Sequence, residues 1–325
     1  MDVIFGDTLT IYGLAWLLIV GLPLLMAAAC VLRPLHEIAP LLAPWSIAPA
    51  LVVAVRPLPA ANYPWLLLGT QLGLDQTGRI FLLFTSVLWI CAGIYAKGYL
   101  ADDPERHRFF AFFQLTAAGN LGLIMANDMV AFYFFFVLMT FAAYGLIVHD
   151  GSAAAQRAGL VYVILALIGE VLLVTSLLLI GSAGYGNLAN PAAAVAAAPN
   201  RDLIIALLLM GFGVKAGAVP LHLWLPLAHP VAPTPASAVL SGAMIKAGLL
   251  GWLRFLPMGE AALPVWSGVC VAAGIAAAFY GVLIGLTQDD PKTVLAYSSI
   301  SQMGVMLATI GIGLALPTSW PLVLA

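Results

Sequence analysis

Residues 211–254 place two lysines and two histidines in a stretch that is otherwise as apolar as membrane-spanning helices. Lys215 and Lys246 lie in its apolar parts, where an ionised side chain at the centre of a bilayer costs roughly 2.5 to 3.5 kcal/mol on insertion scales. His222 follows Lys215 by seven residues and His229 follows by seven more. In an uninterrupted helix this spacing brings the three side chains near one face. Such a set is typical of an ion or proton pathway.

Pro220 should interrupt this helix, because proline lacks a backbone N–H and crowds the preceding turn. Inside a bilayer, backbone groups freed by a break must be satisfied by protein or water. A discontinuous helix therefore predicts a polar or hydrated interior at the depth of Lys215. Lysine suits such a path, because burial and neighbouring charges alter how strongly it holds its proton.

Simpler roles are open for the same residues. His222 and His229 could satisfy only the carbonyl groups that nearby prolines release, and a lysine could extend its ammonium group to the membrane interface. Glu170, in the middle of another apolar run, could be a protonated acid that is hydrogen-bonded to a neighbouring helix. Residue types and spacing alone do not choose between these roles and a proton pathway.

The composition of the whole chain indicates an integral membrane protein. Of its 325 residues, 63% are hydrophobic and 8% are charged, against about 25% charged in soluble domains. The net charge of -2 offers no basic surface for nucleic acid. No phosphate-binding or dinucleotide-binding fingerprint occurs, and the cysteines (Cys30, Cys91 and Cys270) are too far apart to indicate disulfides or a metal site. We expect no bound cofactor and no metal.

Apolar stretches of about 20 residues, long enough to cross a bilayer, predict an all-α membrane protein, a polytopic bundle of about ten spans with a discontinuous seventh helix. The other predicted spans are 9–32, 38–55, 76–96, 109–126, 129–148, 159–180, the second half of 211–254, 265–286 and 294–314. Residues 56–70 and the segment before Arg201 are expected to be loops. The first span lacks the basic start of a secretory signal and should remain as a helix.

The positions of lysine and arginine predict that the N-terminus lies outside an inner (cytoplasmic) membrane. Six basic residues then face the cytoplasm (Arg33, Lys97, Arg106, Arg108, Arg157 and Lys292) and four lie at the outer side (Arg56, Arg79, Arg201 and Arg254). The charged connection 97–108 contributes most of this bias.

The run from Lys215 to Gly248, KAGAVPLHLWLPLAHPVAPTPASAVLSGAMIKAG, resembles a known family signature. It matches without a gap the pattern K-A-x-x-x-P-x-H-x-W-L-P-x-A-H-x-x-A-P-x-x-x-S-A-x-L-S-G-x-x-x-K-x-G. This pattern occurs in the antiporter-like membrane subunits of respiratory complex I, of hydrogenase-4-type hydrogenases (the component B type) and of multisubunit cation/proton antiporters. Residues 289–304, DDPKTVLAYSSISQMG, match a second signature, and the resemblance covers most of residues 70–310.

The resemblance implies a role for each matching residue. Lys215 corresponds to the central proton-loading lysine of the broken seventh helix, and Lys246 corresponds to the lysine of the eighth. His222 and His229 correspond to histidines that link the hydrated path toward the membrane centre. Family members usually carry a glutamate in the fifth helix that pairs with the seventh-helix lysine, but Val137 stands at that position here.

Glu170 in the sixth predicted span is a candidate to replace that glutamate beside Lys215. Gln302 and Ser298 in the tenth span are polar at membrane depth and are candidates for lining the path. Glu170 lies outside both signatures, whereas Ser298 and Gln302 lie within the second.

The family fold has about fourteen helices with two inverted five-helix repeats, and this chain should resemble its N-terminal part. Residues 1–108 should form helices one to three, residues 109–256 the first repeat, and residues 257–325 the start of the second. The second discontinuous helix should lie beyond residue 325. We therefore expect either a portion of a longer product or a second polypeptide that completes the bundle.

These features predict a proton-translocating subunit of a multisubunit energy-converting complex. The chain itself should not be catalytic, although it could belong to a proton-pumping hydrogenase or quinone reductase. Expected partners are other membrane subunits and the lipid bilayer. The alternatives are transport of sodium, a non-conducting scaffold or coupling subunit, and a membrane partner that couples ion flow to a soluble enzyme, for example in inorganic-carbon uptake.

Overall fold

The computed structural model describes residues 10–56, 58–182, 190–316 and 318. The first predicted span begins at residue 9, outside the described residues. The described elements, in chain order, are α1 (Ile11–Val31), α2 (Ala39–Leu42), a 3-10 turn (Ala43–Ile47), α3 (Ala48–Val55), β1 (Ala61–Tyr63), β2 (Thr70–Leu72), α4 (Gln76–Tyr99), α5 (Arg106–Met125), α6 (Met129–Ile147), α7 (Ala153–Ser182), α8 (Pro191–Ala197), α9 (Arg201–Ala216), α10 (Trp224–Val231), α11 (Thr234–Val239), a π turn (Leu240–Met244), α12 (Ile245–Phe255), α13 (Pro264–Gly285) and α14 (Pro291–Ala315).

Helices occur at every predicted span, and the chain is a multi-pass helical membrane protein. Within the described part, seven helical stretches are long and apolar enough to cross a bilayer: Ile11–Val31, Gln76–Tyr99, Met129–Ile147, Ala153–Ser182, Thr234–Phe255, Pro264–Gly285 and Pro291–Ala315. The helices at the second, fourth and seventh predicted spans are shorter, broken or more polar. The total of ten spans therefore stays a prediction.

The structure differs from the sequence-based expectations in three segments, one predicted span and two predicted loops. The second predicted span is not one helix, because a proline near the start of α2, of the 3-10 turn and of α3 removes hydrogen-bond donors. The predicted loop 56–70 contains β1, which pairs in an antiparallel hairpin with β2 at the end of the loop. The segment before Arg201 contains α8, and the Asn190 side chain accepts a 3.3 Å hydrogen bond from the Ala193 amide at its start.

The described residues of Met1–Gly151, together with Ala232–Ala243, form one compact unit. Buried amides connect its helices. The Gln114 side chain donates a 2.7 Å hydrogen bond to the Ala43 carbonyl oxygen, and Trp89 donates a 3.0 Å bond to Asn120. In hydrocarbon, such interhelical hydrogen bonds hold helices together where the hydrophobic effect does not.

The connections of this unit meet in two groups. On one side the Arg106 guanidinium pairs with Glu37, and the His149 ring lies 3.0 Å from Asp103. These contacts join the connections after the first, third and fifth predicted spans. The connections after the second and fourth spans meet elsewhere, where the Gln71 amide donates to Asp128 at 3.0 Å. When successive spans run in opposite directions, the connections after odd-numbered spans lie at one end of the helices and those after even-numbered spans lie at the other. This explains the two groups.

The described residues of Ser152–Val231 and Met244–Ala325 form the second unit. Its helices cross where glycines allow the backbones to approach. A methyl group at Gly211 of α9 would lie 3.1 Å from the carbonyl oxygen of Gly169 on α7. At Gly248 of α12 it would lie 2.6 Å from the Phe212 oxygen and 2.7 Å from the Ala216 nitrogen of α9. Small residues of this kind are typical of packed membrane helices.

These two crossings fix the position of Lys215. Gly211 lies one turn before the lysine on α9, and Ala216 is its immediate neighbour. The end of α9 is therefore packed against both α7 and α12. The turn that carries Lys215 is consequently held inside the second unit.

Candidate functional site

The seventh predicted span is interrupted at a glycine. Helix α9 ends at Ala216, and Gly217 adopts a left-handed conformation with φ of 70°. The Gly217 and Ala218 amides donate back to the Val214 and Gly213 carbonyl oxygens at 3.3 and 2.9 Å. This is a Schellman motif, in which glycine is favoured because it has no Cβ. The break therefore begins earlier than Pro220, which lies inside it.

The second half of the span supplies a hydrogen bond to the first half. Trp224, the first residue of α10, donates from its indole nitrogen to the Val214 carbonyl oxygen at 2.7 Å. Carbonyl groups at a helix C-terminus lack partners within the helix. Trp224 provides one such partner, which is the condition under which broken helices persist at membrane depth.

Lys215 lies in the last turn of α9 with 4% of its surface exposed. Its ammonium group donates a 2.9 Å hydrogen bond to the Tyr162 hydroxyl and lies 5.3 Å from the centroid of the tyrosine ring. The Tyr162 ring packs edge-on against Trp224, with centroids 5.2 Å apart. The negative end of the helix dipole also favours a cation here, typically by 0.3 to 1 kcal/mol.

Glu170 lies on α7, the same helix as Tyr162, and is 6% exposed. It interacts electrostatically with both Lys215 and Tyr162. The structure thus brings Lys215, Tyr162 and Glu170 together. Tyr162 was not among the site residues predicted from the sequence. A signal was present, because Tyr162 precedes Glu170 by eight residues in one apolar run and helical spacing puts both on the same side.

The two histidines meet different elements. His222 lies within the break, is 4% exposed, and its Nε2 atom is 3.1 Å from the Tyr280 hydroxyl on α13. His229 lies in α10, is 1% exposed, and interacts electrostatically with Lys292 at the start of α14. Since the helix is interrupted between Lys215 and His222, the common face expected from the seven-residue spacing does not extend across the break.

Lys246 lies in the first turn of α12, directly after the π turn, and is partly exposed. Gly248 follows two residues later and packs on the end of α9. Ser298 and Gln302 lie on the exposed side of α14. In the part of the chain that the structure describes, no cluster of three His, Cys, Asp or Glu side chains is arranged to hold a metal ion.

Comparison with known proteins gives a consistent result. Residues 126–320 match the family model described as NADH:quinone oxidoreductase/Mrp antiporter, transmembrane. The chain is 30% identical over 249 residues to hydrogenase-4 component B of Escherichia coli, and 32% identical over 252 residues to NAD(P)H-quinone oxidoreductase chain 5 of Synechocystis. These matches cover 75% and 74% of this chain, but only 37% of the length of either relative.

A solved structure shows the same fold. The Mrp complex from Dietzia contains a chain that matches with a TM-score of 0.82 and 25% identity. The match covers 93% of the present chain and 34% of the Mrp chain. The chain thus spans about a third of the length of these two relatives and of the Mrp chain.

Proposed function

Because the chain belongs to the NADH:quinone oxidoreductase/Mrp antiporter transmembrane family, we propose that it moves protons across a bacterial-type inner membrane as one subunit of a multisubunit complex. Its relatives include a component of hydrogenase-4 and a chain of a quinone oxidoreductase, and the matching structure is part of an Mrp complex. The observation that carries the proposal is Lys215, buried at the end of a broken helix and hydrogen-bonded to Tyr162.

Tyr162 is a suitable partner for a lysine that gains and loses a proton. An ammonium group has three donors and no acceptor, whereas a tyrosine hydroxyl both donates and accepts. When Lys215 is protonated, it donates to Tyr162. When the lysine is neutral, its nitrogen can instead accept the hydroxyl proton. The contact therefore satisfies both protonation states without a change of partner.

Glu170 is proposed to control how strongly Lys215 holds its proton. Both residues are buried, and they interact electrostatically within one unit. Charges in a medium of low polarity act more strongly on each other than in water. A change in the charge or position of Glu170 therefore loads or releases the lysine.

The remaining path is assigned to His222, His229 and Lys246. The two histidines are buried, and imidazole can carry a proton on either nitrogen near neutral pH. Lys246 lies near the crossing of α12 and α9, and in its neutral form its amine can accept the proton that leaves Lys215. We include Ser298 and Gln302 of α14 as polar groups along the exit.

The test uses inverted membrane vesicles that contain the complete complex, energised by its own reaction, with acidification followed by a fluorescent pH probe. Lys215→Ala and Lys246→Ala should each slow proton transport by roughly a hundredfold, the lower range for removal of a positioned proton-transfer group. Lys97→Ala, at the end of α4 in the charged connection, serves as the matched control and should transport normally.

The result separates the competing functions. If both lysine variants assemble into the complex and transport protons at the normal rate, the proposal is wrong and a scaffold role is favoured. If acidification stops when sodium is replaced by choline in the unmodified complex, proton movement is coupled to sodium. Amounts of assembled complex, measured on native gels, show that a lost activity does not reflect lost protein.

A further inference from the structure

His222 contacts a tyrosine pair that the proposed proton path does not use. Its Nε2 atom lies 3.1 Å from the Tyr280 hydroxyl, and the two rings pack edge-on with centroids 5.0 Å apart. Tyr280 in turn packs against Tyr297 of α14, with ring centroids 6.2 Å apart, and the two hydroxyl groups interact. The His222 ring, the Tyr280 hydroxyl on α13 and the Tyr297 hydroxyl on α14 thus follow one another. Each of the three can both donate and accept a hydrogen bond.

The packing of α13 on α14 holds this pair in place. A methyl group at Gly281 would lie 2.7 Å from the Tyr297 carbonyl oxygen and 2.7 Å from the Ser301 nitrogen. The two backbones therefore touch at the residue that follows Tyr280. This contact leaves little freedom for the two helices to separate at the level of the tyrosines.

Exposure increases along the series. His222 is buried, Tyr280 and Tyr297 are partly exposed, and Ser298 next to Tyr297 is exposed. Gln302 is also exposed on α14. The hydroxyl groups therefore lead from the interior of the broken helix to Ser298 and Gln302 on the exposed side of α14.

We propose that Tyr280 and Tyr297 are proton-transfer residues that connect His222 with Ser298 on the exposed side of α14. The inference rests on the proposed proton transport. In each step, the N–H of protonated His222 passes its proton to the Tyr280 oxygen while the Tyr280 O–H proton passes to the Tyr297 oxygen. Tyr297 likewise releases its own hydroxyl proton to a polar group or water, so each tyrosine ends the step neutral and the proton is conserved.

Single-atom substitutions test this relay. Tyr280→Phe and Tyr297→Phe each remove one hydroxyl group but keep the ring that packs against its neighbour. Each should slow proton transport by the complete complex on the order of tenfold, as expected for loss of one hydrogen bond to a charged group. Tyr95→Phe, an exposed tyrosine on α4, is the matched control and should have no effect.

Two further measurements distinguish a relay from simple positioning of His222. In a relay, the double variant should be no slower than the slower single variant, because both hydroxyl groups lie on one route. The rate ratio between H2O and D2O should also rise in both variants as proton transfer becomes limiting. If the hydrogen bond only positions His222, the H2O/D2O rate ratio should stay at the value of the unmodified complex, and Tyr297→Phe should add nothing to the effect of Tyr280→Phe because it has no effect alone.

The outcomes separate the relay from the function on which it rests. If Lys215→Ala abolishes transport and Tyr297→Phe leaves the rate unchanged, the relay is wrong while the proposed function stands. If Tyr280→Phe alone slows transport, Tyr280 only positions His222, and the relay is again wrong. If Lys215→Ala leaves transport intact, both proposals fail.

Discussion

Lys215 and Tyr162 are joined by a 2.9 Å hydrogen bond from the lysine ammonium group to the tyrosine hydroxyl, although 53 residues separate them in the chain. The contact is enclosed by Trp224, which packs on the tyrosine ring and also donates to the carbonyl oxygen of Val214, the residue before the lysine. One aromatic side chain from the second half of the span therefore supports both the broken backbone and the partner of the lysine.

Tyr162→Phe should slow proton transport by about tenfold or more, because a hydrogen bond to a charged group contributes roughly 1.5 to 3 kcal/mol. Phenylalanine keeps the ring that packs against Trp224, so the complex should still assemble. The measurement is vesicle acidification at equal amounts of complex, with Tyr95→Phe as control. Normal transport by Tyr162→Phe would show that the hydroxyl group does not serve Lys215.

Glu170→Gln should also slow transport, because it removes the buried charge that interacts with Lys215 while preserving side-chain size. Glu170→Asp keeps the charge and should retain part of the activity. Glu260→Gln changes an exposed residue between α12 and α13 and is the control. A silent Glu170→Gln variant would contradict the role of Glu170 and would favour the scaffold function.

Gly248→Ala should destabilise the second unit, because the added methyl group would lie 2.6 Å from the Phe212 oxygen and 2.7 Å from the Ala216 nitrogen. Overpacking of this kind typically costs about 1 to 3 kcal/mol. Thermal unfolding of the complex in detergent measures the effect, and transport should fall because α9 carries Lys215.

Gly268→Ala in α13 is the matched control for Gly248→Ala. A Cβ atom there would meet nothing within 4 Å, and alanine is favoured over glycine within a helix by about 1 kcal/mol. This variant should be as stable as the unmodified chain or more so. Equal melting temperatures for the two variants would contradict the close crossing of α9 and α12.

Asp103→Asn should lower stability near neutral pH but not in acid. Partial burial alone would raise the pKa of Asp103, but the hydrogen bond from His149, the Glu105 amide and the charges of His149 and Arg108 together lower it. A carboxyl group with a lowered folded-state pKa contributes stability above its unfolded pKa of about 3.9. That contribution is lost as the pH falls through the folded-state value.

The melting temperature of the complex, measured from pH 7 to pH 3, tests this expectation. The difference between Asp103→Asn and the unmodified chain should be present above about pH 4 and should shrink below it. Asp102→Asn, a neighbouring exposed residue, is the control. A difference that persists unchanged at pH 3 would show that Asp103 does not stabilise the fold through its charge.

Helix positions and helix starts were predictable because they depend on local sequence. Asp128 and Asp290, for example, are the residues at the N-terminal caps of α6 and α14. Their carboxylates accept hydrogen bonds from the Ala131 and Thr293 amides at 2.8 and 2.7 Å. Capping joins residues three apart, so the sequence around each helix start carries the whole signal. The resemblance to the antiporter-like family is likewise confirmed, because its signatures are local runs.

The discontinuity of the seventh span was predictable for the same reason, but its position was less so. Pro220 indicated a break, and the structure ends the helix at Ala216 because Gly217 adopts the left-handed conformation. Both residues are helix breakers that can be recognised in the sequence. Which of the two ends the helix depends on the contacts of Val214 and Trp224 across the break.

The sequence by itself determined that this is a multi-pass helical membrane protein with ionisable residues in a broken helix, because length, hydrophobicity and helix breakers are local properties. Only the tertiary structure decided that Lys215 meets Tyr162 and that His222 meets Tyr280. Apart from Tyr162 and Glu170, the middle of helix α7 is almost uniformly apolar, so its hydrophobic pattern does not indicate which face turns inward. In a membrane, lipid and protein interior are equally apolar, and close approaches such as that of Gly169 and Gly211 set the rotation instead.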